Sequence, residues 1–142
     1  MPLINFHNQD IAFKLSRPQN TRTWIHGVIL REKKQLIHLD YVFCSDTYLL
    51  TVNQQYLKHN TLTDIITFDY SESESGIEGD IFVSIDRVKA NAEQLSVDFD
   101  EELHRVIIHG VLHLIGYTDK SARQKAQMRK KEDAYLSLRN NP

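Results

Sequence analysis

The stretch Leu103–Ile115 constrains the fold more than any other part of the chain. Leu103, Val106, Ile107, Val111, Leu112, Leu114 and Ile115 make it apolar on most sides of a single helix. Such a helix has to be covered by other elements, so it belongs in the middle of a domain. Asp100, Glu101 and Glu102 crowd its first turn, where the positive end of the helix dipole favours them. Gly116 is its natural stop, because glycine takes the left-handed turn that ends a helix. A chain of 142 residues is long enough to build one core around it, burying roughly two-thirds of the surface exposed when unfolded. With 41% hydrophobic and 25% charged residues, disordered and fibrous classes are excluded.

The remaining segments supply the cover. Leu3–Phe6 reads as a short strand, and a helix begins at Thr21 with Trp24, Ile25, Val28 and Ile29 at helical spacing. In Leu36–Cys44, Ile37, Leu39, Tyr41 and Phe43 alternate with His38, Asp40 and Val42, the pattern of a half-buried strand. Asp46 is placed to cap a helix carrying Leu49, Leu50, Val52, Asn53, Tyr56 and Leu57. Asp64–Phe68 and Ile81–Ile85 read as strands, and the acidic, serine-rich residues 69–80 between them as a solvated loop. Asp86 and Ser121 are placed to cap two further helices. No repeat or linker interrupts this order. It predicts one α+β domain over residues 1–142, with a central mixed sheet, surrounding helices and one buried helix.

No segment reaches the ~20 apolar residues of a membrane span. The best, Val106–Tyr117, is shorter and holds two histidines. The start, Met1–His7, lacks the basic and apolar regions of a signal peptide. A single cysteine, Cys44, points to a reducing compartment. The expectation is a cytoplasmic protein without a membrane partner. A net charge of −2 argues against a wholly basic nucleic-acid-coating protein, though not against a local basic patch.

Seven histidines are the unusual count, and two of them fall in the apolar helix. His109 and His113 are four residues apart, so their imidazoles lie on one helical face and can reach one metal ion. The bland alternative is a pair that binds nothing, but an unpartnered imidazole in an apolar helix costs free energy. A chain reversal at Gly116 brings Asp119 back toward the same point. Two histidines and one aspartate leave a tetrahedral position open, which is the catalytic rather than the structural zinc pattern. Mixed sites of this kind also accept iron, nickel or manganese. Gly110 stands where helical His-Glu-x-x-His metallopeptidases place their general base, so ordinary zinc peptidase chemistry is disfavoured. His7, His26, His38 and His104 have no ligand partner at a useful spacing and read as structural.

Asn53 with Tyr56, Thr63-Asp64-Ile65-Ile66-Thr67-Phe68, Gly79-Asp80-Ile81, and His109-Gly-Val-Leu-His113-Leu-Ile-Gly116-Tyr117 resemble motifs of the YbeY family and stand in the family's order. Those proteins are bacterial metal-dependent endoribonucleases of ribosomal RNA maturation. The resemblance runs from about Leu39 to Met128. It implies a single-strand-specific endoribonuclease acting late in small-subunit ribosomal RNA processing, at the 3′ end, and in ribosome quality control. It implies one Zn²⁺ per chain, or another divalent ion, held by His109, His113 and Asp119. RNA is the implied partner, with ribosomal proteins or the small subunit beside it.

Two positions depart from the family. Asp119 stands where the family carries a third histidine, and Leu57 where it carries an arginine after the tyrosine. Lys58 and His59 are the nearby candidates for substrate contact. Asp64 and Asp80, in the matching segments, are the candidate catalytic carboxylates. Between Lys120 and Lys131 stand six cations and no acid. Lys120 and Arg123, next to Asp119, are the candidates for RNA contact, since phosphate charge supplies much of the affinity for nucleic acid. Two other readings stay open: a non-catalytic ribosome-assembly factor with a structural metal, or a metal-dependent hydrolase of another substrate.

Overall fold

In the computed structural model, which describes residues 3–58 and 62–139, the segments that alternate or are β-branched come together as one sheet. β1 (Ile4–Asn8), β2 (Gln35–Cys44), β3 (Ile65–Asp69) and β4 (Gly76–Ser84) lie in the order β1-β2-β4-β3. The first two and β4 run parallel, and β3 runs antiparallel to β4. The sheet is therefore mixed, as expected. Around it pack α1 (Pro18–Arg31), α2 (Asp46–Val52), α3 (Ile85–Leu95), α4 (Phe99–Ile115) and α5 (Ala122–Arg139). The molecule is α+β. No helix among the described residues is long and apolar enough to cross a membrane.

The apolar helix is α4, and it is the centre of the core. Ile107, Ile108, Val111 and Leu112 are fully buried, each contributing roughly 1.5–3 kcal/mol of hydrophobic stabilisation. At Gly110 the helix meets the sheet so closely that a Cβ would stand 2.8 Å from Ile65 Cδ1 and 3.0 Å from Ile81 Cγ2. That contact explains the missing glutamate, because a side chain at 110 would be driven into the sheet. The buried Tyr41 hydroxyl donates to the Ile107 carbonyl at 2.9 Å, anchoring α4 two residues before His109.

Gly79 sits at a second close approach. A Cβ there would overlap the Phe68 carbonyl oxygen of the neighbouring strand, which cannot retreat without disturbing the β3–β4 ladder. Gly79→Ala should therefore cost about 3 kcal/mol, the upper end for overpacking. Gly27→Ala, in α1 with open space around it, should be neutral or stabilising by up to ~1 kcal/mol. Urea unfolding of both variants checks the contrast.

Several local expectations are corrected by the structure. Serines, rather than the following aspartates, cap two helices. Ser45 Oγ accepts from the Tyr48 N–H and Ser84 Oγ from the Arg87 N–H, both at 3.1 Å. Asp46 lies one residue after its serine and Asp86 two residues after its own, both in the first turns. Residues 69–80 are not one loop, since Gly76–Asp80 already belong to β4. Their acids hid the strand because Glu78 and Asp80 point to the solvated side of the sheet. Ile37 is exposed and Leu36 buried, because the register slips between Leu36 and His38. The first helix starts at Pro18, before Thr21, a residue type suited to a first helical turn. Beyond Val52 the helix widens into a π-turn, Asn53–Leu57, which ends at Lys58 with φ 57°.

The histidines outside the central pair have structural partners in three cases. His7 and His38 both bond Asp40, at 3.0 and 2.8 Å, on the open face of the sheet. His104 is buried, its ring 5.8 Å from that of Trp24. Cys44 is buried as well, and burial with Asp10, Asp46 and Asp86 nearby pushes its thiol up to about 12, the environment of an inert core thiol.

Candidate metal centre and its groove

The last turns of α4 present His109 and His113 on one side, and the chain then turns back on itself. Gly116 takes φ 127°, and the Tyr117 N–H bonds the Leu112 carbonyl at 3.0 Å, closing the helix end. Four residues on, Ser121 Oγ accepts from the Gln124 N–H at 3.1 Å, while Gln124 Oε1 accepts from the Lys120 and Ser121 N–H groups at 3.0 and 3.1 Å. This capping box starts α5. Asp119 is thus carried on a short connection fixed at both ends.

The connection delivers its carboxylate to the histidines. The two Nε2 atoms face each other 2.9 Å apart, and Asp119 Oδ2 lies 3.4 Å from His109 Nε2 and 3.6 Å from His113 Nε2. One ligand atom from each residue falls within 4.8 Å of the others. The donor set fits a divalent ion. On the far side of the first ring, His109 Nδ1 donates to Glu132 Oε2 at 2.6 Å. That leaves the Nε2 lone pair of neutral His109 directed at Asp119 and His113, the carboxylate–histidine arrangement found behind metal ligands.

Electrostatics follow from these neighbours. Burial works against the charged form of His109, but Glu132, Asp119 and Asp64 outweigh it and hold the imidazole above its usual range. Burial and the adjacent His109 hold His113 below it. Glu132 is itself buried and bonds Arg105 at 3.0 Å, while Arg105 also bonds Asp133 at 2.8 Å. Glu132 is the site residue that sequence reasoning missed. Its signal was an acid at position 132 in the inward stripe formed by Met128 and Tyr135 on α5.

A groove of about 410 Å³ opens beside His113, lined by Asn53, Leu57, Thr63, Ile65, Ile66 and Thr67. It runs along β3, an edge strand. Leu57, at the family's arginine position, is therefore in the groove wall, and among the described residues the lining carries no lysine or arginine. Asp64 does not line the groove. It accepts from Asn91 Nδ2 at 3.2 Å, burial lifts its carboxyl, and it lies within electrostatic reach of His109. Asp80 is further removed. Its neighbours Gly79 and Ile81 face α4, so Asp80 points to the opposite side of the sheet and accepts from the Tyr70 hydroxyl at 3.1 Å. Lys58 ends the π-turn, Lys120 and Arg123 are exposed beside Asp119, and His59 lies outside the described residues.

Lys131, the last of the six cations, is turned inward. Glu32 at the end of α1 accepts from the Tyr117 hydroxyl at 2.6 Å, from Lys131 Nζ at 3.1 Å and from the Tyr135 hydroxyl. This carboxylate ties the Asp119 connection and α5 to α1. Burial raises its pKa, but the three donors outweigh that and hold it below the ordinary 4.5. A depressed carboxylate stabilises the fold above its unfolded pKa and loses that contribution as pH falls through the folded value. Acidification below about 4.5 should therefore weaken the wild-type protein more steeply than Glu32→Gln, as read from denaturation midpoints between pH 7 and 3.

Comparisons with known proteins agree with this arrangement. A family model described as Endoribonuclease YbeY matches residues 4–140. A curated relative named Endoribonuclease YbeY, from Amoebophilus asiaticus, is 49% identical over 138 residues, 96% of this chain and 94% of its own. Another of that name, from Cytophaga hutchinsonii, is 51% identical over 136 residues, 96% of this chain and 95% of its own. The solution structure of a Thermotoga maritima protein superposes with a TM-score of 0.69 at 27% identity, covering 98% of this chain and 93% of that one.

Proposed function

The chain belongs to the endoribonuclease YbeY family, and on that premise we propose that it hydrolyses single-stranded ribosomal RNA in late small-subunit maturation, at the 3′ end. The observation that carries the reading is the convergence of His109, His113 and Asp119, with His113 also lining an open groove. These three residues would hold one Zn²⁺ per chain, through two imidazole Nε2 atoms and one carboxylate oxygen; other divalent ions suit the same donors. A bound ion supplies Lewis acidity toward the phosphodiester and lowers the pKa of a water.

The protein's own groups do the rest. Glu132 holds the His109 ring in the orientation that offers Nε2. Lys120 and Arg123 receive the phosphate backbone beside Asp119, and Lys58, the residue after Leu57 of the groove wall, is a further candidate. Of the two candidate carboxylates, Asp64 is the better supported, because its charge is felt at His109. Ribosomal RNA within the small subunit, its proteins included, is the partner this reading assigns, with quality control of defective ribosomes as a second use and the cytoplasm as the setting.

The test is incubation of the zinc-loaded protein with small-subunit precursor RNA, followed by mapping of the new ends. A discrete cut near the 3′ end that chelator abolishes supports the assignment. Intact RNA under all metals tried would sink it in favour of a binding factor.

A further inference from the structure

One exposed feature at the groove is not used by the metal site. Tyr56, on the π-turn Asn53–Leu57, is 68% exposed, although its neighbour Leu57 lines the groove with His113. Its ring is not loose. It stands edge-on to Phe68 with centroids 5.9 Å apart, and Phe68 is edge-on to Phe82 at 5.8 Å. Phe82 in turn lies under Tyr48 at 6.4 Å. A four-ring stack rooted in the small core between α2 and the sheet thus ends in one uncovered tyrosine. Two backbone irregularities set it there, the π-turn and the left-handed Lys58 that ends it. Single π-turns are frequent at functional sites.

The charges around this rim say which part of a nucleic acid it suits. Among the described residues the groove lining has no lysine or arginine. Beyond Phe68 the chain carries Asp69, and Asp80 lies close by, held by Tyr70. On that acidic side a phosphate is disfavoured and an uncharged aromatic face is not, while Lys58, two residues after Tyr56, is a cation for the adjoining backbone. The exposed cations Lys120 and Arg123 follow Asp119, at the metal end. Resting on the reading that the substrate is RNA, we infer that Tyr56 is a base-stacking subsite, taking the face of one unpaired nucleobase while the neighbouring phosphate lies at the metal end. Aromatic stacking accepts any base, because each offers a π-face. It is closed to duplex RNA, whose bases already stack on both sides. The subsite therefore selects single strands by geometry rather than by sequence.

The test is equilibrium binding of a single-stranded RNA oligonucleotide and of a matched hairpin duplex to the full zinc-loaded chain. Tyr56→Ala should weaken single-strand binding about tenfold or more, the range for losing one base–aromatic stack, and raise KM more than it lowers kcat. Tyr56→Phe and Tyr56→Trp should restore binding, and duplex binding should be the same for all. An oligonucleotide with one abasic position should bind wild type as weakly as the intact strand binds Tyr56→Ala, with no further loss when the two are combined. Wild-type affinity in Tyr56→Ala, or equal weakening for single strand and duplex, overturns the subsite. Wild-type protein that neither binds nor cleaves RNA overturns the underlying reading instead.

Discussion

In His113→Ala, metal binding and RNA cleavage should be lost together while the fold survives. The side chain contributes one of three donors, and its Nε2 faces His109 Nε2 at 2.9 Å. Losing a hydrogen-bond partner behind a ligand typically costs 10–100-fold in metal affinity; losing a ligand outright should exceed 100-fold. The ring is only half-buried, and the core residues flanking it, Leu112 and Leu114, are untouched. The far-UV spectrum should be unchanged. An ion that binds the native state raises its thermal midpoint by mass action, so Zn²⁺ should raise that of wild type and leave that of His113→Ala where it is. A variant that still gains stability from Zn²⁺ would place the ion elsewhere.

Glu132→Ala should have the next largest effect, although residue 132 would not touch the ion. Its carboxylate fixes the tautomer and the orientation of His109 through the 2.6 Å bond to Nδ1. Metal affinity, measured by competition with a chromophoric chelator, should fall 10–100-fold. Glu132→Gln retains an acceptor for the same proton and should lose less than tenfold. Stability falls too, because Arg105 loses one of its two partners. The loss should stay below the roughly 3–5 kcal/mol of an uncompensated buried charge, since Asp133 remains. Asp133→Ala separates the two roles: it disturbs Arg105 and should leave metal affinity as in wild type. Unchanged affinity in Glu132→Ala would make the residue purely structural.

What the sequence revealed of this site depended on how locally each feature is encoded. The buried α4 was legible because its apolar residues recur on nearly every side, and the ligand pair because four-residue spacing is a property of the helix itself. Asp119 was within reach because Gly116 announces a reversal close by. Glu132 was not, because it comes from α5, amid Lys130, Lys131 and Asp133, and only the packing of Met128 and Tyr135 turns that face inward. The start of β4 was hidden for a related reason. Glu78 and Asp80 belong to the strand's solvated side, so the residues looked like loop until Ile77 and Gly79 were seen to be buried. Asp80 then fell on the wrong side of the sheet for the groove, a fact that the two-residue period carries only once the strand's start is known. The π-turn that exposes Tyr56 has no simple sequence signal at all.

The proposal that one ion at His109, His113 and Asp119 makes this chain a ribonuclease has a direct test. The most direct measurement is the rate at which a single-stranded RNA is cut as Zn²⁺ is titrated into chelator-stripped protein. Cleavage should be absent at the start, rise to a plateau at one ion per chain, and show no response in His113→Ala. Cleavage at the plateau rate without any metal, or an equal response in His113→Ala, would contradict it.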